Sequence, residues 1–109
     1  MAIDAETRER LRKALLAKGL ELATLLADVL AGKDRERALA ALPAFTVRPG
    51  LRPEERLRLY LDHVESRRQL LVSGDPRYGV CERCGAELSV MELEEMPWAD
   101  RCRACGTEG

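Results

Sequence analysis

The sequence predicts a mainly α-helical protein in which an antiparallel helical hairpin precedes a small cysteine-rich finger. Two long stretches place apolar residues at alternating three- and four-residue steps, the pattern of a coiled-coil seam. All four cysteines fall in the last 29 of the 109 residues and form two pairs. We therefore predict a helical hairpin in residues 1–77 and a finger in residues 78–109.

The first helix is predicted over residues 5–31. Asp4 is suited to cap its N-terminus, and Gly32 is suited to end it, because glycine tolerates the left-handed backbone after a helix. The seam consists of Leu11, Leu15, Leu22, Leu25 and Val29. Lys18 interrupts this series. The stripe is widened by Leu16, Leu20, Leu26 and Leu30, and we expect the stripe to be core.

The second helix is predicted over residues 53–73. Pro53 suits its first position, the acids that follow suit the positive end of the helix dipole, and Gly74 suits its end. Its seam consists of Leu57, Leu61, Val64 and Leu71, with Arg68 intruding. His63 has no metal-binding partner motif and is expected in a solvated position. Two helices with matching seams should fold back as an antiparallel hairpin.

The tip of the hairpin is predicted in residues 32–52. Residues 34–42 have the pattern of two helical turns, and the two prolines that follow favour an extended segment over residues 43–50. Phe45 lies in that segment and is expected to pack against the short helix rather than to stand exposed. Four arginines are candidates for contacting carboxylates of a partner: Arg48, Arg52, Arg56 and Arg58.

The cysteines Cys81, Cys84, Cys102 and Cys105 form two C-x2-C pairs with 17 residues between them, a spacing typical of a four-thiolate zinc site. Gly85 and Gly106 follow the pairs and can turn backbone N–H groups towards the sulfurs. Three neighbouring arginines would offset the charge of the site: Arg83, Arg101 and Arg103. We predict one structural Zn²⁺ per chain, without an open position for catalysis. Two disulfides or a redox dithiol are the alternatives.

Charge argues against nucleic acid as the main partner. Residues 1–80 hold 15 Lys and Arg against 12 Asp and Glu, whereas residues 81–109 hold 3 against 7. The first part lacks the clustered excess that dominates phosphate binding, and the finger would be repelled by phosphate. With no run of about 18 apolar residues and a charged start, the chain is expected to be cytoplasmic, away from membranes. It shows no nucleophile–base motif or phosphate loop, and we expect no enzyme.

The cysteines have further signature residues around them. Residues 78–85 read Tyr-Gly-Val-Cys-Glu-Arg-Cys-Gly, Leu93 and Pro97 precede the third cysteine, and residues 102–106 read Cys-Arg-Ala-Cys-Gly. This stretch resembles the DksA/TraR family of bacterial zinc-finger proteins. The resemblance implies a regulator that binds RNA polymerase and inserts its coiled coil through the secondary channel, often together with the alarmone (p)ppGpp.

The tip departs from the pattern of family members that act on initiation, which commonly carry two aspartates in a D-x-x-D-x-A arrangement. The corresponding residues here, 38–42, are Ala, Leu, Ala, Ala and Leu. Asp34 and Glu36 are nearby, but Arg35 and Arg37 flank them. We therefore predict that the tip does not act as an acidic finger at a catalytic magnesium. Three functions are considered: a polymerase-binding regulator, an adaptor for another protein, and a zinc ribbon that contacts DNA.

Overall fold

The computed structural model describes residues 3–43 and 46–106. These residues form five helices: α1 (Ala5–Leu30), α2 (Arg35–Ala41), α3 (Pro53–Ser73), α4 (Val90–Glu95) and α5 (Arg103–Gly106). Within the described ranges there is no β-strand, only an isolated antiparallel bridge between Val80 and Glu87. The predicted mainly α class is confirmed. None of the described helices is both long and apolar enough to span a membrane.

Both ends of α1 follow from local chemistry. A carboxylate oxygen of Asp4 accepts a hydrogen bond from the Thr7 backbone N–H at 2.7 Å, so one of the unpaired donors of the first turn is satisfied. Gly32 has φ of +83°, the left-handed conformation in which glycine ends helices. The predicted bounds of the first helix are confirmed to within one residue.

The ends of α3 also match their prediction. Pro53 is the first helical residue, and the Glu55 carboxylate accepts a hydrogen bond from the Arg52 backbone N–H at 3.3 Å. Gly74 lies in the left-handed region at φ +73° and terminates the helix. A proline at the start and a glycine just past the end are the residues that helix geometry favours there.

α1 and α3 pack against each other over much of their length. The Arg8 guanidinium donates a hydrogen bond to the Leu71 carbonyl at 2.8 Å, so the start of α1 lies beside the end of α3. At mid-length, a Cβ on Gly19 would lie 3.9 Å from the Leu61 Cδ1 atom. One buried apolar cluster joins these helices, α2 and the C-terminal segment: Leu11, Leu15, Leu22, Leu25, Leu26, Ala38, Leu57, Tyr60, Val64, Leu71, Tyr78, Leu88 and Leu93.

The predicted seams are mostly buried, but the widened stripe on α1 is not. Leu26 is buried, whereas Leu16 is 42% exposed and Leu20 and Leu30 are each 64% exposed. The prediction was wrong for these three residues because the structure packs α1 mainly against a single long helix, which covers a narrow face.

Lys18 and Arg68, the charged residues that interrupt the seams, have partners at the border of the packed face. The Lys18 ammonium lies 5.5 Å from the ring centroid of Tyr60 and 5.3 Å from that of Trp98, within range of cation–π attraction. On α3, Arg68 donates to the Glu65 carboxylate through its Nε atom at 2.9 Å. Both side chains therefore lie along the packed face without an unpaired buried charge.

The tip contains the predicted short helix, α2, and a turn where an extended segment was predicted. The Leu51 N–H donates to the Arg48 carbonyl at 3.3 Å, and Gly50 has φ of +82°, so residues 48–51 reverse direction. Thr46 is fully buried, and its hydroxyl donates to the Pro43 carbonyl at 2.8 Å. The expected packing of Phe45 lies outside the described residues.

Candidate metal centre

The structure brings the four cysteine thiols together. All four Sγ atoms lie within 4.8 Å of one another, and those of Cys84 and Cys102 are 3.7 Å apart. A tetrahedral zinc with Zn–S bonds of about 2.3 Å places its sulfurs about 3.8 Å apart. Each cysteine is a free thiol. The arrangement fits one metal ion bound by four sulfurs and does not match a pair of disulfides.

The first pair lies on a tight turn between residues 79 and 88. The Leu88 N–H donates to the Gly79 carbonyl, and the Cys81 N–H donates to the Ala86 carbonyl, each at 2.8 Å. Gly85 has φ of +77°, and its N–H donates to the Cys81 carbonyl at 2.9 Å. This left-handed glycine allows the chain to turn directly behind Cys84, as the sequence predicted.

The second pair is held by α5. Cys102 immediately precedes the helix and Cys105 lies inside it, so one helical turn brings both sulfurs to the same side. Gly106 is the last residue of α5.

Hydrogen bonds outside the sulfurs also link the cysteine-bearing segments. The Glu82 N–H, between Cys81 and Cys84, donates to the carbonyl of Asp100, two residues before Cys102, at 2.8 Å. The buried Tyr78 hydroxyl donates to the Pro97 carbonyl at 2.8 Å. Burial raises the pKa of this phenol to about 12, so it remains a donor at neutral pH.

The thiols differ in acidity because their hydrogen bonds differ. Backbone N–H groups of Cys102 and Cys84 stabilise the Cys81 thiolate and lower its pKa to about 6. Hydrogen bonding to the Cys102 sulfur, together with desolvation, raises the pKa of Cys105 to about 12. Four crowded sulfurs cannot all carry negative charge without a cation. A thiolate-binding divalent ion such as Zn²⁺ would supply that charge, and all four residues are suitable ligands.

His63 contributes to the docking of the cysteine-rich segment onto α3. Its Nε2 atom lies 2.8 Å from the Trp98 carbonyl oxygen and 4.0 Å from an Asp100 carboxylate oxygen. Because a carbonyl only accepts, Nε2 must carry a proton and donate it. The expectation of a solvated histidine was wrong: the His63 side chain is 20% exposed, since the loop before Cys102 covers it.

Trp98 was not singled out from the sequence, although it is the single tryptophan and follows a proline between the cysteine pairs. Its ring packs edge-on against Tyr60 with centroids 5.9 Å apart. At the other side of the segment, the Glu94 carboxylate pairs with the Arg10 guanidinium at 2.8 Å. Contacts to both α1 and α3 therefore orient the metal centre relative to the helices.

The arginines beside the cysteines are exposed, as expected for residues that face solvent around a charged site. Arg103 pairs with Glu95 at 3.7 Å, and Arg83 and Arg101 are also exposed. The cation that is buried near this segment is Arg67 of α3, which is 3% exposed. Sequence reasoning missed it because it assigned Arg68, one position further, to the seam.

The described fold and site define a mainly helical protein with a C-terminal cluster of four cysteines arranged for one metal ion. Comparisons with known proteins found no protein-family model, no curated protein sequence and no solved structure that matches this chain.

Proposed function

We propose that this protein is a zinc-binding bacterial transcription regulator of the DksA/TraR type, which binds RNA polymerase through its secondary channel. The observation that carries the proposal is the cluster of four thiols within 4.8 Å, embedded in the residues that resemble that family's finger. In this proposal the metal is one structural Zn²⁺, α1 and α3 are the arms of an antiparallel coiled-coil hairpin, and (p)ppGpp acts with the protein. The chain is not an enzyme.

The dimensions of the helices support this proposal. α1 has 26 residues, which corresponds to a length of about 39 Å at about 1.5 Å per residue. Arg8 of α1 and Leu71 of α3 contact each other near the cysteine-rich segment, while α2 follows the opposite end of α1. A rod of this kind presents its tip far from the metal centre, as a channel-inserting regulator requires.

Capture of RNA polymerase tests the proposal most directly. Zinc-loaded protein immobilised through a tag is expected to retain purified bacterial RNA polymerase, and addition of free untagged protein should displace it. The alternative is an adaptor of the same fold that binds another protein. Failure to retain the polymerase, with zinc bound and helices intact, would contradict the proposed function and favour the adaptor.

Charge reversal at the tip tests where the partner binds. Arg48 and Arg58 are exposed, and their side chains form no hydrogen bond or ion pair with any other described residue. Arg48→Glu or Arg58→Glu is expected to weaken polymerase binding about fivefold, roughly 1 kcal/mol, because each reversed charge would repel a partner carboxylate. The change in dissociation constant is measured by titration at two salt concentrations.

Lys13→Glu provides the control for this titration, since Lys13 is an exposed cation near the other end of α1 and should leave affinity unchanged. Arg52 and Arg56 are less suitable than the sequence suggested. Arg52 pairs with Glu55 at 2.9 Å, and Arg56 donates to the buried Thr46 hydroxyl at 3.2 Å. Equal affinity of the Arg48, Arg58 and Lys13 variants would place the interface elsewhere.

Neutralising the acids of the tip is expected to change regulation little. Asp34 has a left-handed backbone, φ +52°, and lies 3.8 Å from the Arg37 guanidinium, which offsets its charge. The double variant Asp34→Asn with Glu36→Gln keeps that backbone allowed, since Asn tolerates it. Promoter-dependent transcription in vitro should remain within about twofold of the native effect. Normal polymerase binding with complete loss of regulation would show that these acids act at the catalytic centre.

A further inference from the structure

Arg67 is a buried cation on α3 that contacts residues at the start of the cysteine-rich segment. Only 3% of the residue is exposed. Its Nη1 atom lies 3.3 Å from the Glu82 carboxylate, and its Nη2 atom donates to the Arg77 carbonyl at 3.3 Å. Its Cζ atom lies 5.8 Å from the Tyr78 ring centroid, and its Nε atom has no hydrogen-bond partner among the described residues. Burial of a charge with an unpaired donor is costly, so this position is not explained by α3 packing alone.

Glu82, the partner of Arg67, occupies a central place in the candidate metal centre. It lies between Cys81 and Cys84 in the chain, and its backbone N–H donates to the Asp100 carbonyl of the segment that carries the second pair. Arg67 therefore holds the side chain of the residue at which the two cysteine-bearing segments meet. The contact extends from α3, an element that contributes no ligand.

We propose that Arg67 is a positioning residue for the metal centre, raising its zinc affinity by holding Glu82, which lies between two of the ligands, in place. The inference rests on the structural zinc of the proposed function. It further makes zinc binding and the docking of the finger on α3 mutually dependent, because a contact that favours metal binding is itself favoured by the bound metal.

Zinc competition with a chromogenic chelator tests this inference. Arg67→Met removes the charge and retains an apolar stem, and it should weaken zinc binding about 10- to 100-fold, the range found for residues that support metal ligands. Arg67→Lys, which keeps the charge without the planar fork, should restore part of the affinity. Arg68→Met is the matched control, one position along α3 with its partner Glu65 on the same helix, and should stay within twofold of native.

A second readout separates positioning from ordinary packing. The loss of unfolding free energy in Arg67→Met should be larger with zinc bound than in the metal-free protein, whereas a purely structural role would give equal losses. If Arg67→Met does not fold, the test uses native protein, in which the hydrogen-exchange rate of the Arg67 Nε–H is measured with and without zinc. Zinc should slow this exchange at least tenfold and leave the exchange rate of the Arg68 Nε–H unchanged.

Equal zinc affinity of native protein and Arg67→Met, or an Arg67 exchange rate that is insensitive to zinc, would overturn the inference while leaving the zinc centre in place. Native protein that binds no zinc would overturn the proposed centre and this inference together. Polymerase binding enters neither measurement, so its absence would count against the proposed function alone.

Discussion

Replacement of Cys84 by Ser is expected to weaken zinc binding at least about a thousandfold, roughly 4 kcal/mol. The hydroxyl is a poor ligand in place of a thiolate, and three sulfurs leave the tetrahedral site incomplete. Cys84 is exposed, so the substitution leaves no cavity in the core. Because metal binding and local folding are linked, the turn over residues 79–88 should loosen as the metal is lost. Metal analysis after dialysis, together with chelator competition, measures the effect.

Ala86→Ser is the matched control for this prediction. It adds the same hydroxyl to the same exposed turn, two residues from Cys84, and leaves all four thiols intact. Its zinc content and affinity should equal those of the native protein. Native protein without zinc when purified in the absence of chelators, or a thiol titration that reveals two disulfides, would contradict the predicted metal centre.

Truncation of Leu93 to Ala is expected to destabilise the whole chain by about 2–5 kcal/mol. Leu93 of α4 is fully buried and belongs to the same apolar cluster as Leu15 of α1 and Leu57 of α3. Loss of its side chain should therefore lower the temperature at which the long helices melt, although it lies outside them. Thermal unfolding followed by helical circular dichroism, with zinc present throughout, provides the measurement.

Met91→Ala is the control, because Met91 lies on the same short helix and is 71% exposed. It should change stability by less than about 0.5 kcal/mol. The result bears on the predicted boundary between residues 77 and 78. An unchanged helical melting temperature in Leu93→Ala would mean that the long helices and the cysteine-rich segment unfold as separate units.

Most helix bounds could be predicted because short-range chemistry determines them. Asp4 satisfies a donor three residues away, Pro53 is pre-organised for a first helical turn, and Gly32 and Gly74 take left-handed conformations without a steric penalty. The prediction of an extended segment after α2 is wrong at its end, because the chain turns over residues 48–51. Gly50 permits this turn, and the two nearby prolines do not exclude it.

The metal ligands could be predicted for a similar reason. Two cysteines separated by two residues can reach one ion from a single turn, and Gly85 behind the first pair allows that turn. The supporting residues could not be predicted in this way. His63 meets the Trp98 carbonyl across 35 positions, and Arg67 meets Glu82 across 15. No local pattern specifies such distant pairs.

The sequence by itself determined the two long helices with their ends, the short helix between them and the four candidate ligands, because each depends on residues within a few positions of one another. The short helices α4 and α5 were not predicted. Only the tertiary structure decided which apolar residues are core. It placed Leu15 in full burial and left its neighbour Leu16 42% exposed, since α3 covers one narrow face of α1. It also decided that Lys18, His63 and Arg67 bind the cysteine-rich segment, because burial and charge pairing depend on surfaces that meet only after the chain has folded.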